Sequence, residues 1–204
     1  MSTPFKKRLL RTALLSLLAL VVGAGIAMMQ IKNDRALPPP PKVAGVAIGG
    51  DYELVDHTGK TVTQDEFSGR HKLIYFGFTS CPAICPTELT KVTKALEILG
   101  EEGADIQPIF ITIDPARDSV DVMKGYISLF TPRLVGLTGS QAQIDETLKN
   151  YRVFARKVED ESLSDYTMDH SSFIYLMSPD DELISIYRIQ DDAEFIAKDV
   201  RAKI

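Results

Sequence analysis

Residues 73–89 read Leu73-Ile-Tyr-Phe-Gly-Phe-Thr-Ser-Cys-Pro-Ala-Ile-Cys-Pro-Thr-Glu-Leu89. The stretch opens as a nearly continuous apolar run, the pattern of a strand buried on both faces. It then crosses a loop holding both cysteines of the chain, Cys81 and Cys85, each followed by proline. From Leu89 the apolar residues Val92, Leu96 and Leu99 recur at helical spacing, and Gly100 closes the segment. Proline suits the first turn of a helix and biases its predecessor away from helical backbone. The helix is therefore predicted to begin at Pro86, with Cys85 as its N-cap and Glu88 at the acidic position of a capping box. Both sulfurs then lie near the positive end of the helix dipole, which lowers thiol pKa values and favours thiolate.

The same reading carries outward along the chain. Tyr52–Val55 and Thr61–Thr63 flank a glycine turn and form a hairpin. Ile106–Ile113 is a second buried strand, and 120–130 is helical, with Asp118 and Ser119 as candidate caps. A short strand at 134–138, a helix at 144–151 and a strand at 153–158 follow. Phe173–Met177 and Leu183–Arg188 are strands joined by Ser178-Pro-Asp-Asp181, and 193–203 is a closing helix. Strands alternating with helices imply an α/β fold with a central mixed sheet flanked by helices. A strand, a cysteine loop, a helix and a late hairpin with a final helix give the order of a thioredoxin-like domain.

Residues 12–31, TALLSLLALVVGAGIAMMQI, carry no charge. About 20 apolar residues at about 1.5 Å each span the hydrocarbon core of a bilayer. Lys6, Lys7, Arg8 and Arg11 precede the run, so the N-terminal side faces the cytoplasm and the remainder lies outside. A cleaved signal peptide is the rival reading, with Gly25-Ile-Ala27 a weak cleavage site; its apolar core is ordinarily shorter than this one. The division expected is a basic segment 1–11, a transmembrane anchor 12–31, a proline-rich linker 32–44 and a globular domain 45–204. Leu37-Pro-Pro-Pro-Pro-Lys42 favours an extended polyproline spacer. Residues 42–204 hold 17 basic and 27 acidic residues, a formal charge of −10. Phosphate backbones need a basic face, so nucleic acid is excluded as a partner.

The two cysteines admit three uses. A structural disulfide across so small a loop adds only about 2 kcal/mol before strain. Two buried cysteines acting as small hydrophobes do not call for prolines at a helix start. A working dithiol fits the placement, and with three residues between the thiols it serves either disulfide exchange or a soft metal such as copper(I). A four-thiolate cluster needs more cysteines than the chain has. Of the three histidines, His57 lies in a turn and His71 just before a strand, both ordinary surface positions. His170 lies in the loop, residues 166–172, that enters the strand of the C-terminal hairpin, and in thioredoxin-like folds that loop packs against the cysteine loop. A Cys2His set leaves an open position, suited to metal exchange between proteins.

Phe76-Gly-Phe-Thr-Ser-Cys-Pro-Ala-Ile-Cys-Pro86, Ile113-Asp-Pro-Ala-Arg-Asp118, Leu137-Thr-Gly139 and Asp169-His-Ser171 together resemble the SCO/SenC family over most of residues 45–204. The anchor and linker fit as well. The resemblance implies a membrane-tethered, thioredoxin-like copper-binding protein that assists assembly of the CuA centre of cytochrome c oxidase. It maps copper ligation onto Cys81, Cys85 and His170, and implies that the two cysteines can form a disulfide. The partner expected is the CuA-bearing oxidase subunit, with another copper chaperone or a thiol reductase alongside. The location expected is the bacterial inner membrane facing the periplasm, or else the mitochondrial inner membrane. Many members carry an acidic residue where this chain has Ala83, so one negative charge near the thiols is missing. The competing function is a thiol-disulfide oxidoreductase that reduces the CuA-site cysteines; a thiol peroxidase gains little from His170. Asp114, Arg117 and Asp118 read first as loop closure and capping, and second as positioning residues.

Overall fold

The computed structural model describes residues 48–159 and 166–204, together with five helical residues at 15, 16, 20, 22 and 23. The chain divides into two units, Met1–Lys42 and Val43–Ile204. The expected anchor and proline linker fall largely outside the described residues. Among those that are described, no helix is long and apolar enough to cross a membrane.

In the second unit the strands are β1 (Glu53–Asp56), β2 (Thr61–Thr63), β3 (His71–Gly77), β4 (Ile106–Thr112), β5 (Val135–Thr138), β6 (Ala155–Val158), β7 (Thr167–His170), β8 (Ile174–Met177) and β9 (Leu183–Tyr187). The helices are α1 (Ile84–Leu99), α2 (Val120–Ile127), α3 (Gln141–Asn150) and α4 (Ala193–Arg201). Among the described residues seven strands form one sheet in the order β2-β1-β5-β4-β3-β8-β9. The central β3, β4 and β5 run parallel, while β1 and β8 join them antiparallel. The mixed sheet flanked by helices matches the sequence expectation.

The buried run in β3 and β4 explains why these strands are central: every residue of β4, and all of β3 after His71, is shielded from solvent. Register puts Tyr75, Phe110 and Gly136 side by side on one face. Cys85 of α1 and Met123 and Ile127 of α2 pack there, and α4 lies alongside α1. On the opposite face Tyr151, which ends α3, meets the rings of Phe76 and Tyr175 at centroid distances of 5.2 and 6.3 Å.

Four expectations need correction. The first helix starts at Ile84, capped by Ala83, two residues before Pro86. Pro86 thus occupies the third helical position, where its absent N–H is one the helix leaves unpaired anyway. Glu88 is no capping-box residue: its side chain is buried and pairs with Lys91 at 2.7 Å. Ser119 alone caps α2, accepting from the Val122 amide, while Asp118 turns inward. Finally, 167–170 is a strand rather than a loop. It pairs with β6 as a two-stranded ribbon apart from the main sheet, and its short, half-exposed sequence has no clear period-2 signature.

Gly77 ends β3 where α1 comes closest. A Cβ there would sit 2.8 Å from the Cys85 sulfur and 3.0 Å from ring atoms of both Phe110 and Tyr75. None of these is the free end of a flexible chain. Gly77→Ala is therefore expected to destabilise the fold by about 1–3 kcal/mol through overpacking, read as a lower denaturant midpoint at unchanged slope.

Candidate metal and dithiol centre

The first turn of any helix leaves backbone amides without partners. In α1 no side-chain oxygen caps them, because the N-cap is alanine. The sulfur of Cys81 takes that place: it accepts from the Cys85 amide at 3.4 Å, with the amides of Ala83 and Ile84 also directed at it. The Cys81 amide in turn donates to the Phe78 carbonyl at 3.2 Å, closing the loop. These contacts separate the two thiols. The Cys85 thiol hydrogen bonds to Cys81 and, with the backbone amides, brings the Cys81 pKa down to about 5. Cys85 moves the opposite way: its bond to Cys81 and its complete burial both favour the protonated form. The expectation that both thiols are acidified is thus wrong for Cys85, because only one sulfur can hold the charge that the helix end stabilises.

Both cysteines are free thiols. Cys81 is half-buried and Cys85 fully buried. The hydroxyl of Tyr75, on the neighbouring strand, donates to the Cys85 sulfur at 3.6 Å.

His170, the last residue of β7, brings its Nε2 to 3.9 Å from the Cys85 sulfur. Its ring stands edge-on to Phe78 and to Tyr75, with centroids 5.9 and 6.5 Å away. Nδ1 lies 3.0 Å from the Ser171 carbonyl. A carbonyl only accepts, so Nδ1 carries the proton and Nε2 presents its lone pair to the sulfur. Burial lowers the His170 pKa, which keeps the ring neutral, the form that ligates a metal. Metal–sulfur and metal–nitrogen bonds of about 2.3 and 2.0 Å reach across a gap of up to about 4.3 Å, so an ion fits between Cys85 and His170. Among the described residues no group of three His, Cys, Asp or Glu side chains is placed to hold a metal ion as the chain stands. Of the three expected ligands, Cys85 and His170 approach each other directly, and Cys81 stands against the Cys85 amide. His57 and His71 take no part; His57 Nδ1 accepts from the Gly136 amide in its turn, and His71 begins β3.

The loop after β4 holds both arms of the site. Asp118, fully buried, accepts from the Thr79 amide and hydroxyl at 3.1 and 2.5 Å and from the Thr112 hydroxyl at 2.6 Å. Burial raises its pKa against the pull of those bonds. Asp114 pairs with Arg117 at 2.5 Å and accepts from the Tyr166 hydroxyl at 2.8 Å. Sequence reasoning gave no role to Gly77, Tyr75, Phe78, Ser171 and Tyr166, although Gly77, Phe78 and Ser171 stand in the motifs that carry the family resemblance. Each is a partner at long sequence separation or a backbone acceptor, and only Gly77, a glycine between aromatics in a strand, carried a local signal.

A thioredoxin-like domain with an asymmetric dithiol at a helix start, faced by a neutral histidine, defines a thiol- and soft-metal-handling class of protein. Within that class the chain belongs to the SCO1/SenC family, whose model matches residues 41–204. It is 40% identical over 174 residues to "Protein SCO1 homolog 1, mitochondrial" of Arabidopsis thaliana, a match taking in 85% of this chain and 52% of that protein. It is 50% identical over 133 residues to "SCO2-like protein" of Rickettsia felis, covering 65% of each. The chain thus spans less than two thirds of the length of these curated relatives. Among solved structures, that of Bradyrhizobium japonicum ScoI with copper bound superposes with a TM-score of 0.71 at 40% identity, covering 78% of this chain and all of that one.

The split between the thiols has a direct readout. Iodoacetamide is expected to label Cys81 at least about 100-fold faster than Cys85 at pH 6. The Cys81 rate should hold nearly level from pH 8 downward and fall only as pH approaches its pKa of about 5. Peptide mapping by mass spectrometry after timed quenching measures both rates.

Proposed function

We propose that this chain is a copper-handling assembly factor whose cargo is held by Cys81, Cys85 and His170 and passed toward the CuA-bearing subunit of cytochrome c oxidase. The observation that carries the reading is the Cys85–His170 approach of 3.9 Å, with the histidine lone pair fixed toward the sulfur. Two soft sulfurs and one imidazole form a donor set suited to copper(I). The relative from Bradyrhizobium japonicum was solved with copper bound, which supports copper as the metal. The SCO/SenC motif pattern supports the oxidase as the destination.

The residues divide the work. Cys81, already ionised, meets an incoming ion without first losing a proton. Cys85 gives up its proton on binding, and Tyr75 and His170 orient its sulfur. Phe78 and Tyr75 keep the imidazole from turning away. The open coordination position leaves room for a donor sulfur from a partner, so the ion passes by ligand exchange. The uncharged run 12–31 and the basic residues before it support an anchor with domain 45–204 outside the cytoplasm, facing the periplasm of a bacterium or, alternatively, the mitochondrial intermembrane side.

The unequal thiols favour a second reading, reduction of a disulfide at the CuA site. The Cys81 thiolate attacks one target sulfur, forming a mixed disulfide and releasing the other as thiolate. Cys85, losing its proton to the released thiolate, then attacks Cys81. The target gains two electrons and ends as one thiol and one thiolate, the latter taking its proton from solvent, and this chain ends with a Cys81–Cys85 disulfide that a cellular thiol reductant must reopen. The two readings are compatible, since copper loading needs reduced thiols on both sides.

Copper(I) titration of the full chain against a chromophoric chelator, anaerobic and reducing, tests the first reading. A single tightly held ion is expected, weakened at least about tenfold in His170→Ala and lost in Cys81→Ser or Cys85→Ser. Undiminished binding in His170→Ala would end the three-ligand model. A chain that binds no copper yet reduces a disulfide-bonded target peptide would favour the oxidoreductase.

A further inference from the structure

The copper site is assembled from two parts that the main sheet does not itself hold together. Cys81 and Cys85 stand on the loop after β3 and the start of α1. His170 stands on β7, whose ribbon with β6 is separate from the main sheet and half-exposed along both strands. A ribbon with so few buried apolar contacts belongs to the low-stability end of a fold. Something must fix its distance from the thiols.

The residues between β4 and α2 reach both parts. Asp114 and Asp118 lie four apart, 4% and 0% exposed, in a loop closed by the Asp118 amide donating to the Asp114 carbonyl at 3.0 Å. Asp118 faces the cysteine loop and holds Thr79, the residue after Phe78, by two hydrogen bonds. Asp114 faces the other way and accepts from the hydroxyl of Tyr166, four residues before His170. Arg117 completes the hold. Its guanidinium lies 3.7 Å from the Tyr166 ring centroid and donates to the Tyr166 carbonyl at 2.8 Å. Lys157 of β6 sits 3.7 Å from the same ring, so the tyrosine is a shared cation–π partner of two charges. Arg117 is also 5.8 Å from the Phe78 ring, which stands edge-on to His170.

We propose that the Asp114–Asp118 loop is a positioning bridge that, through Tyr166 on one side and Thr79 on the other, sets the separation of His170 from the two thiols. The proposal rests on the copper reading for one of its assays and not for the other. Tyr166, Asp114, Arg117 and Asp118 touch no copper; they act through the placement of His170.

The test is a thermodynamic cycle on the full chain, with copper(I) as probe against a chromophoric chelator. Tyr166→Ala and Tyr166→Phe are each measured with His170 present and in the His170→Ala background. Tyr166→Ala is expected to weaken binding about 10–100-fold with the histidine in place, and by less than about twofold without it. Equal losses in both backgrounds would overturn the proposal, because a residue that merely supports the fold weakens the site whether or not the histidine is there. Should Tyr166→Ala fail to fold, Tyr166→Phe, which keeps the ring and removes the hydroxyl that bonds Asp114, carries the cycle with a loss of about threefold that again vanishes without His170. The second readout needs no metal. In the metal-free chain the imidazole nitrogen resonances of His170 report its fixed tautomer, and Tyr166→Phe or Tyr166→Ala is expected to move them toward tautomer-averaged values. Unchanged resonances would overturn the proposal. If the unmodified chain binds no copper through His170, the copper reading fails, and the resonances still decide the positioning claim.

Discussion

A helix cannot satisfy the amides of its own first turn, and in this chain the sulfur of Cys81 satisfies them. That constraint organises the centre. With alanine at the N-cap, the amide of Cys85 turns to sulfur, and those of Ala83 and Ile84 point the same way. The sulfur becomes the acidic thiol of the pair, while its neighbour, sealed beneath Gly77 and Tyr75, stays protonated. Two residues of identical chemistry, four apart, are thereby made unlike. One is ready to attack or, in the proposed role, to meet a metal; the other waits, its one proton given to the Cys81 sulfur, its own sulfur accepting from a tyrosine hydroxyl, with an imidazole nitrogen 3.9 Å away.

The histidine is held differently from the cysteines. Cys85 belongs to the fully buried core where β3 meets α1, and Cys81 stands half-buried against it. His170 comes from a ribbon outside the main sheet, and its ring is held by edge contacts with Phe78 and Tyr75 and by a backbone carbonyl. Two sulfurs beside the core with a less deeply rooted imidazole opposite are an arrangement in which the proposed coordination can change without unfolding anything. The loop of Asp114, Arg117 and Asp118 lies between the two, with one carboxylate turned to each. The reading of these residues as loop closure and as positioning turns out not to be a choice, since the loop they close is also the one that touches both arms.

Much of this was legible from residues alone, and particular residues show where legibility stops. The run Leu73–Phe78 announced a doubly buried strand because shielding on both faces removes any need for polar alternation. Cys81 and Cys85 announced a helix-start dithiol because proline tolerates only a few positions. The same local rules put the helix start at Pro86 and made Glu88 a cap. They failed there because burial of Cys85 against the sheet outweighed the bias against helical backbone before proline. They also took 167–170 for a loop, since its strand character depends on pairing with 155–158, which no window of sequence contains.

By itself, the sequence determined the α/β class, the order of strands and helices around the cysteine loop, the acidic balance of the chain beyond residue 41, and the identity of the candidate ligands. These follow from periodicity, charge and residue chemistry, which are local and additive. The tertiary structure decided which thiol is ionised, which nitrogen of His170 faces Cys85, and that Tyr166 and Asp118 bind the loop after β4 from its two sides. Those outcomes depend on three-dimensional contacts, some between near neighbours such as Cys81 with Cys85 and His170 with Ser171, others between residues 10 to 85 positions apart. Hydrogen-bond direction, burial and ring packing exist only once the chain has closed on itself.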